Sequence, residues 1–256
     1  MVEGGLAGVG VLVTRPEHQA EPLVAAIEAA GGRAIRFPAI EVAPLAAATI
    51  EAEAAGLHDP DIAIFVSANA VRYGLGHAVA PCIAAVGPAT AAAIEAAGAQ
   101  VNIRPQAGFD SEHLLAEPEF EDVAGKVVRI IRGESGRELL AETLRKRGAT
   151  VEYLAVYSRR APQPDAAALS RLEEAWLAGD VDAVTVMSVE TLVNLVAILP
   201  ETCRDRLRQT LLVTPAERVI IEATKQFTGI PTALAAGTSP KDIVRAIAQH
   251  VRGYSE

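Results

Sequence analysis

An internal duplication limits the possible folds of this chain more than any other feature of its sequence. Residues 127–160 combine an apolar run, a glycine-rich turn, an amphipathic stretch and a second extended run. The segment that begins at Val11 has the same plan, and its Arg15 precedes the matching Arg132 by 117 residues. At the same spacing, Leu23, Ile27 and Gly31 match Leu140, Leu144 and Gly148. The sequence therefore predicts two copies of one structural unit.

The size and charge of the chain narrow the class of protein. A chain of 256 residues is long enough for two domains of ordinary size. Its formal net charge of −9 argues against nucleic acid or an anionic membrane as a partner. Because the sequence shows neither a membrane-spanning run nor a signal-peptide pattern, we expect a cytoplasmic protein. Cys82 and Cys203 lack metal-ligand spacing and are expected to be buried thiols.

Short apolar runs, each followed by a turn and then a helical pattern, recur along the chain. The runs cover residues 62–66, 83–86, 101–103, 183–187 and 211–213. Ser111 and Ser239 are placed to cap the helices that follow the last turn of each copy. Strands that alternate with helices in this way predict parallel sheets, because a parallel connection needs a crossover.

Two extended segments suggest how the copies are joined. Residues 35–44 and 151–162 lie at the same point of each repeat and are flanked by prolines, which favours edge or linking strands. A division between the copies, near residues 117–124, is the simple alternative. We instead predict one domain from residues 1–36 and 163–256, a second from residues 45–150, and a connector made of strands 37–44 and 151–162.

The candidate ligand-binding groups lie in the turns that follow the predicted strands. Open α/β sheets bind ligands at the carboxyl ends of their strands, where helix N-termini offer free N–H groups. Short polar side chains in these turns are Thr14, Ser67, Asn69, Thr90, Ser188 and Thr214. Arg15, Ala68, Gly87 and Val189 belong to the same turns. For any one serine or threonine a plain helix cap is the simpler explanation, but several in one place predict a site for anionic groups.

The loop from Gly133 to Gly136 lacks the third glycine of a dinucleotide fingerprint and the lysine of a phosphate loop. Arg137, expected one turn into the next helix, could reach the mouth of the loop or pair with Glu134 or Glu138. The five histidines share no spacing, so none of them is expected to act as a base or as a metal ligand.

Tyr157 lies on the second connector strand, beside the cleft that two lobes would form, and the matching position in the first copy is Ile40 or Glu41. The duplicated unit is therefore asymmetric here. From spacing alone, a functional hydroxyl and a packed strand residue are equally compatible with this position.

Across nearly its whole length the sequence resembles the uroporphyrinogen-III synthase family. The resemblance rests on VLVTRP at Val11, FVSANAV at Phe65, AAVGPAT at Ala84, FDSEHLL at Phe109, IIRGESGRELLAETLRKRGA at Ile130 and VEYLAVYSRRAP at Val151. It implies an α/β protein with two parallel-sheet domains of HemD-like, flavodoxin-like topology, joined by a two-stranded connector. It also implies a monomer that needs no metal or cofactor.

The resemblance further implies the reaction and the roles of individual residues. Hydroxymethylbilane, a linear tetrapyrrole with eight carboxylates that hydroxymethylbilane synthase could hand over, would lose water and close with inversion of ring D. Tyr157 would act as a donor to the departing hydroxyl, and the acetate and propionate groups would be held by Ser67, Asn69, Thr90, Ser188 and the backbone of Gly87 and Val189. After Thr214 the chain has Ala216 and Glu217 where many relatives carry hydroxyls, so backbone contacts are expected at that turn.

Two other functions are compatible with the pattern. A non-enzymatic sensor with two lobes could close on a small anion, since the fold alone does not imply catalysis. A flavodoxin-like nucleotide binder would need a phosphate-cradling loop, which the sequence lacks.

Overall fold

The computed structural model describes residues 5–78 and 80–251, which form alternating strands and helices. The strands are β1 (Gly10–Val13), β2 (Arg33–Arg36), β3 (Glu41–Pro44), β4 (Ile62–Phe65), β5 (Cys82–Ala85), β6 (Val127–Gly133), β7 (Thr150–Arg160), β8 (Ala183–Thr185), β9 (Leu211–Thr214) and β10 (Thr232–Leu234). The helices are α1 (Glu17–Ala29), α2 (Ala47–Ala55), α3 (Ala68–Gly74), α4 (Pro88–Ala96), α5 (Ser111–Leu115), α6 (Leu139–Lys146), α7 (Ala166–Leu177), α8 (Val189–Ile198), α9 (Glu201–Leu207), α10 (Glu217–Gln226) and α11 (Pro240–Val251).

The chain divides into two compact units. The first, unit 1, takes the residues up to Glu41 and those from Arg160 onward, and unit 2 is the continuous segment Val42–Arg159. Both divisions fall inside the segments 37–44 and 151–162. Within unit 1, the Glu41 carboxylate accepts two hydrogen bonds from the Arg160 guanidinium, at 2.9 and 3.0 Å.

Unit 1 is built on a five-stranded sheet in the order β10-β9-β8-β1-β2, and its neighbouring strands are parallel. Counted along the unit, this is the flavodoxin-like order 2-1-3-4-5. Alternate residues of β1 enter opposite faces: Val11 and Val13 pack under α1 and α11, and Leu12 packs on the side of α7, α8 and α10. The sheet is therefore buried on both faces, as is typical of parallel sheets.

Unit 2 has a second five-stranded sheet, in the order β3-β7-β6-β4-β5. The pairs β7–β6, β6–β4 and β4–β5 are parallel, and Ala84 of β5 forms a further parallel bridge with Ile103. Two apolar clusters cover the faces, one with α5 and α6 and the other with α3 and α4. The α/β class and the two mostly parallel sheets predicted from the sequence are confirmed.

The duplication extends to the register of the strands. Val13 pairs with Arg36 in unit 1, and Ile130 pairs with Tyr153 in unit 2. Both members of the second pair lie 117 residues after those of the first. Equivalent positions of the two copies can therefore be compared residue by residue along these strands.

Three details of the predicted elements were wrong. The stretch 35–44 is not one strand: it contains the end of β2 and the whole of β3, which lie at the edges of different sheets. Residues 101–103 form only the bridge at Ile103 instead of a strand. Asp110, and not Ser111, caps α5, because its carboxylate accepts the N–H of His113 at 2.9 Å.

Candidate functional site

In each unit the turns at the carboxyl ends of the parallel strands carry the residues predicted from the sequence. Unit 2 contributes the turns after β4, β5 and β6, and unit 1 contributes those after β1, β8 and β9. All strands of a parallel sheet point the same way. The turns that follow the strands of one unit therefore lie together at the carboxyl end of its sheet. Each unit thus presents its own set of polar groups.

Tyr157 and Ser67 are in direct contact in unit 2. Their hydroxyl oxygens lie 3.2 Å apart, and Ser67 Oγ also accepts the N–H of Ala70 at 3.1 Å as the N-cap of α3. The serine is therefore held by the helix and by the tyrosine at the same time. Two residues from separate motifs, 90 positions apart, form one hydrogen-bonded pair.

A β-bulge orients Tyr157. Along β6 and β7 the pairing is regular up to Arg132 and Ala155, but the next pair is Gly133 with Tyr157, so Val156 is the extra residue. Bulges of this kind redirect side chains and are common beside functional sites. Tyr157 accordingly joins the same apolar cluster as Leu154 and Val156 instead of pointing to the opposite face.

The Tyr157 ring fits into a space that depends on glycine. A Cβ atom on Gly133 would lie 2.7 Å from Cε2 and 2.9 Å from Cζ of that ring. On another side the ring meets Tyr73, with centroids 6.3 Å apart. The ring is buried, with 6% of the residue exposed, so its position is fixed by packing as well as by Ser67.

The neighbouring turn of unit 2 contains Gly87 and Thr90. Gly87 is the N-cap of α4, and its carbonyl accepts the N–H groups of Thr90 and Ala91 at 3.0 Å. The exposed Phe109 lies beside Gly87 at the rim of a cavity of about 350 Å³. Thr90 itself is buried, so its predicted contact with a ligand remains a prediction.

The first residues of α3 complete the turn after β4. Ala68 is exposed and Asn69 is half-buried in the first turn of this helix, beside the Ser67 cap. Both therefore lie at the carboxyl edge of the unit 2 sheet, where the sequence places them.

The glycine-rich loop after β6 lines a second cavity, of about 400 Å³. The buried Arg132 also lines this cavity. Its guanidinium pairs with Glu138 at 2.9 Å and stacks on the Tyr153 ring. A Cβ on Gly136 would lie 2.7 Å from the same guanidinium. Arg137 precedes α6 and does not lie inside it, contrary to the sequence prediction. Its guanidinium lies 3.8 Å from Glu112, and among the described residues it forms no ion pair with Glu134 or Glu138.

In unit 1 the two predicted threonines are buried and use their hydroxyls within the fold. Thr14 donates to the carbonyl of Thr185 at 2.5 Å, and Thr214 Oγ1 accepts the N–H of Ala216 at 3.2 Å. These hydroxyls tie β1 to β8 and shape the turn after β9. The sequence could not show this, because a polar residue at a strand end reads the same whether it faces outward or pairs internally.

The turn after β8 repeats the arrangement at Ser67. Ser188 is the N-cap of α8: its Oγ accepts the N–H of Thr191 at 3.1 Å and lies 2.9 Å from the Thr191 hydroxyl. Val189 is the first residue of the helix. In contrast to Ser67, the serine of unit 1 contacts a threonine of its own helix.

Arg15 is a half-buried cation at the carboxyl edge of the unit 1 sheet. It donates to the carbonyl of Thr238 at 2.9 Å and contacts the sulfur of Met187, whereas its buried Nε has no partner. Burial lowers the pKa of this guanidinium below its usual value. Within residues 5–78 and 80–251, no carboxylate forms an ion pair with it.

The part of the chain that the structure describes contains no group of three or more His, Cys, Asp or Glu side chains placed to hold a metal ion. None of its helices combines the length and the apolar character that a membrane span requires.

Comparison with known proteins identifies similar sequences and structures. The family model described as uroporphyrinogen-III synthase HemD matches residues 21–235. The uroporphyrinogen-III synthase of Escherichia coli (strain K12) is 34% identical over 223 residues, which cover 82% of this chain and 89% of that protein. The Salmonella typhimurium protein of the same name is 36% identical over 218 residues, with 80% and 87% covered.

A solved structure shows the same fold. The crystal structure of uroporphyrinogen-III synthetase from Helicobacter pylori 26695 aligns with a TM-score of 0.63 at 13% identity. The alignment covers 95% of this chain and all of that one.

Proposed function

Because this chain belongs to the uroporphyrinogen-III synthase family and is a cyclising lyase, we propose that Tyr157 assists its reaction and that the strand-end turns hold its substrate. The reaction closes hydroxymethylbilane with loss of water and inverts ring D to give uroporphyrinogen III. The observation that supports the role of Tyr157 is its contact with Ser67, the predicted substrate-binding residue of another motif.

The departing hydroxyl needs a proton, and Tyr157 is suited to donate it. Ser67 Oγ already accepts the N–H of Ala70, so its own proton is available to the Tyr157 oxygen. In that arrangement the phenolic proton is free for the leaving group, and the serine stabilises the negative charge that develops on the phenol. A positioned donor of this kind contributes about 10²–10⁴ in rate.

Most of the remaining task is to hold a flexible chain in one shape. Without guidance the electrophilic azafulvene, formed when the hydroxyl leaves, reacts at the free end of ring D and gives the wrong isomer. Orientation of reacting groups can supply roughly 7–11 kcal/mol in favourable cases. We assign this holding to Arg15, Ser67, Asn69, Gly87, Thr90, Gly133, Arg137, Ser188 and Val189, with the backbone at Ala68, Thr14 and Thr214.

The domain limits, the cellular location and the oligomeric state of the enzyme are proposed from the family resemblance. The lobes would be residues 1–36 with 163–256 and residues 45–150, linked by 37–44 and 151–162. The enzyme would act as a cytoplasmic monomer in heme and siroheme synthesis, and receive its substrate from hydroxymethylbilane synthase.

An isomer assay tests the proposed activity. The protein is incubated with freshly made hydroxymethylbilane, the products are oxidised, and the ratio of type III to type I isomer is measured. We expect a ratio far above that of the protein-free control, and an equal ratio would exclude the enzyme function. The sensor considered above has no support among the relatives, whose names are those of enzymes.

A further inference from the structure

Phe109 is an exposed aromatic residue of unit 2, at the rim of the cavity beside Gly87. Of this residue 70% is exposed, and it belongs to neither of the apolar clusters that cover the unit 2 sheet. A single exposed apolar side chain is common on protein surfaces and indicates nothing by itself. The surroundings of Phe109 therefore decide whether it has a role.

The turn that holds Phe109 has a counterpart in the other copy of the duplicated unit. The Asp110 carboxylate accepts the N–H of His113 at 2.9 Å, immediately before α5. Immediately before α11, Ser239 Oγ accepts the N–H of Asp242 at 3.2 Å. The two turns are therefore built alike, with equivalent positions 129 residues apart.

The glycines two residues before these caps support the same alignment. A Cβ added to Gly108 or to Gly237 would lie 2.2 or 2.8 Å, respectively, from the side chain three residues after the cap. The residue between the glycine and the cap is Phe109 in unit 2 and Thr238 in unit 1. Since Thr238 occupies the same place in a turn of the same construction, the turn does not require an aromatic ring. The fold alone therefore does not account for Phe109.

The cavity beside Phe109 has the size of a site for part of a ligand. Its lining comes from α4, with the small side chains of Ala91 and Ala92, and from the segment between Arg104 and Phe109. Further along α4, Glu95 pairs with Arg104 at 3.3 Å. The volume of about 350 Å³ is near the lower limit of small-molecule sites, which span about 300–1,000 Å³. The cavity is therefore suited to one ring of a tetrapyrrole and not to the whole molecule.

We propose that Phe109 contacts the substrate, and that its ring packs on one pyrrole ring of hydroxymethylbilane in this cavity. This inference rests on the proposed function, because the cavity continues the Gly87 turn, one of the turns assigned to the substrate. A Cβ on Gly87 would lie 3.6 Å from the Phe109 Cβ, so the two positions are neighbours. A pyrrole is a flat aromatic ring that carries its carboxylates on side chains, so its face can pack on Phe109 while a carboxylate reaches the turn.

The test gives unit 2 the residue of unit 1. Phe109→Thr removes the ring at the position where the other copy has Thr238. We expect KM for hydroxymethylbilane to rise by roughly tenfold, the loss that one aromatic contact produces, while kcat changes much less. Phe109→Tyr supplies a ring again and should recover most of this loss. Phe109→Leu is apolar but has no aromatic ring, and it should recover less than the tyrosine does.

Leu177→Thr is the matched control. Leu177 is 63% exposed and lies at the end of α7, which leads to the amino end of β8. Its replacement should leave KM at the wild-type value. Urea unfolding separates a contact from a structural role, because the exposed ring and the example of Thr238 predict a wild-type midpoint for Phe109→Thr. If that variant unfolds at lower urea, the comparison of Phe109→Leu with Phe109→Tyr decides.

A titration with the product measures the same contact without turnover. Under anaerobic conditions, calorimetry should show that Phe109→Thr binds uroporphyrinogen III roughly tenfold more weakly than the wild type. An unchanged KM in Phe109→Thr, or an equal rise of KM in Phe109→Tyr, would overturn the inference.

Failure of the proposed function gives a different pattern. In that case Tyr157→Phe would leave kcat unchanged, or the wild-type protein would form no excess of the type III isomer. The product titration then decides alone, and equal affinities of the wild type and Phe109→Thr for uroporphyrinogen III would overturn the inference.

Discussion

Gly133 leaves room for the ring of Tyr157: a Cβ at this position would lie 2.7 Å from the tyrosine Cε2. The two residues are also partners across the β6–β7 bulge. The Tyr157 ring of β7 therefore packs directly on the backbone of Gly133, at the end of β6.

Gly133→Ala should move the Tyr157 ring away from Ser67. Overpacking of this kind costs about 1–3 kcal/mol in the free energy of unfolding, and the lost hydroxyl contact should lower kcat. Denaturant unfolding and the isomer assay measure the two effects. Gly76→Ala is the control, because a Cβ there meets nothing within 4 Å. A wild-type kcat in Gly133→Ala would show that the reaction does not depend on the position of the Tyr157 ring.

Tyr157→Phe removes the proposed donor and keeps the ring. We expect kcat to fall by roughly 100-fold and KM to change little, since a group that acts as an acid in the transition state contributes mainly to kcat. Tyr73→Phe is the matched control: it removes a hydroxyl that bonds to the Val42 carbonyl at 3.4 Å in the same cluster. Equal effects of both changes would argue against a special role for Tyr157.

Ser67→Ala removes both the cap of α3 and the partner of Tyr157. The lost cap should cost about 1 kcal/mol of stability. Asp165→Ala removes a cap of the same kind, where the carboxylate accepts the N–H of Ala168 at 2.7 Å, and serves as the control. We expect kcat to fall only for the serine, and to fall no further when Ser67→Ala is added to Tyr157→Phe. Fully additive losses would show that the two hydroxyls act separately.

The carboxylate shared in unit 2 gives a prediction for pH. Hydrogen bonds from Tyr153 and Arg132 lower the pKa of Glu138 in the folded protein. Its stabilising contribution is therefore complete above the unfolded value of about 4.3 and is lost as the pH falls through the lower folded value. Between pH 6 and pH 3, Glu138→Gln should lose less stability than the wild type. If urea unfolding shows the same pH dependence of stability for Glu138→Gln and for the wild type, the prediction is wrong.

The sequence predicts the repeated architecture because local patterns carry it. Ser67 and Ser188 each follow a buried strand and begin a helix, and both are N-caps in the structure. Their chemical preference for this position is local, so it can be recognised without knowledge of the fold. The α/β class follows from the same alternation of short apolar runs with helices.

Features that depend on two distant strands could not be predicted in this way. The bulge at Val156 exists only relative to β6, so the sequence of β7 alone does not reveal which face receives Tyr157. The partners of Arg132 come together in the same way, because its guanidinium pairs with Glu138 and stacks on the Tyr153 ring of the neighbouring strand. The sequence of β6 alone does not show these contacts.

The course of the chain through unit 2 has a practical consequence for dissecting the protein. That unit is one uninterrupted insertion, and the residues on either side of it, Glu41 and Arg160, hold each other through paired side chains. A short linker in place of the insertion would therefore span a small gap, and each half could be produced as a separate module. The chemistry of one set of turns could then be studied while the other set is absent.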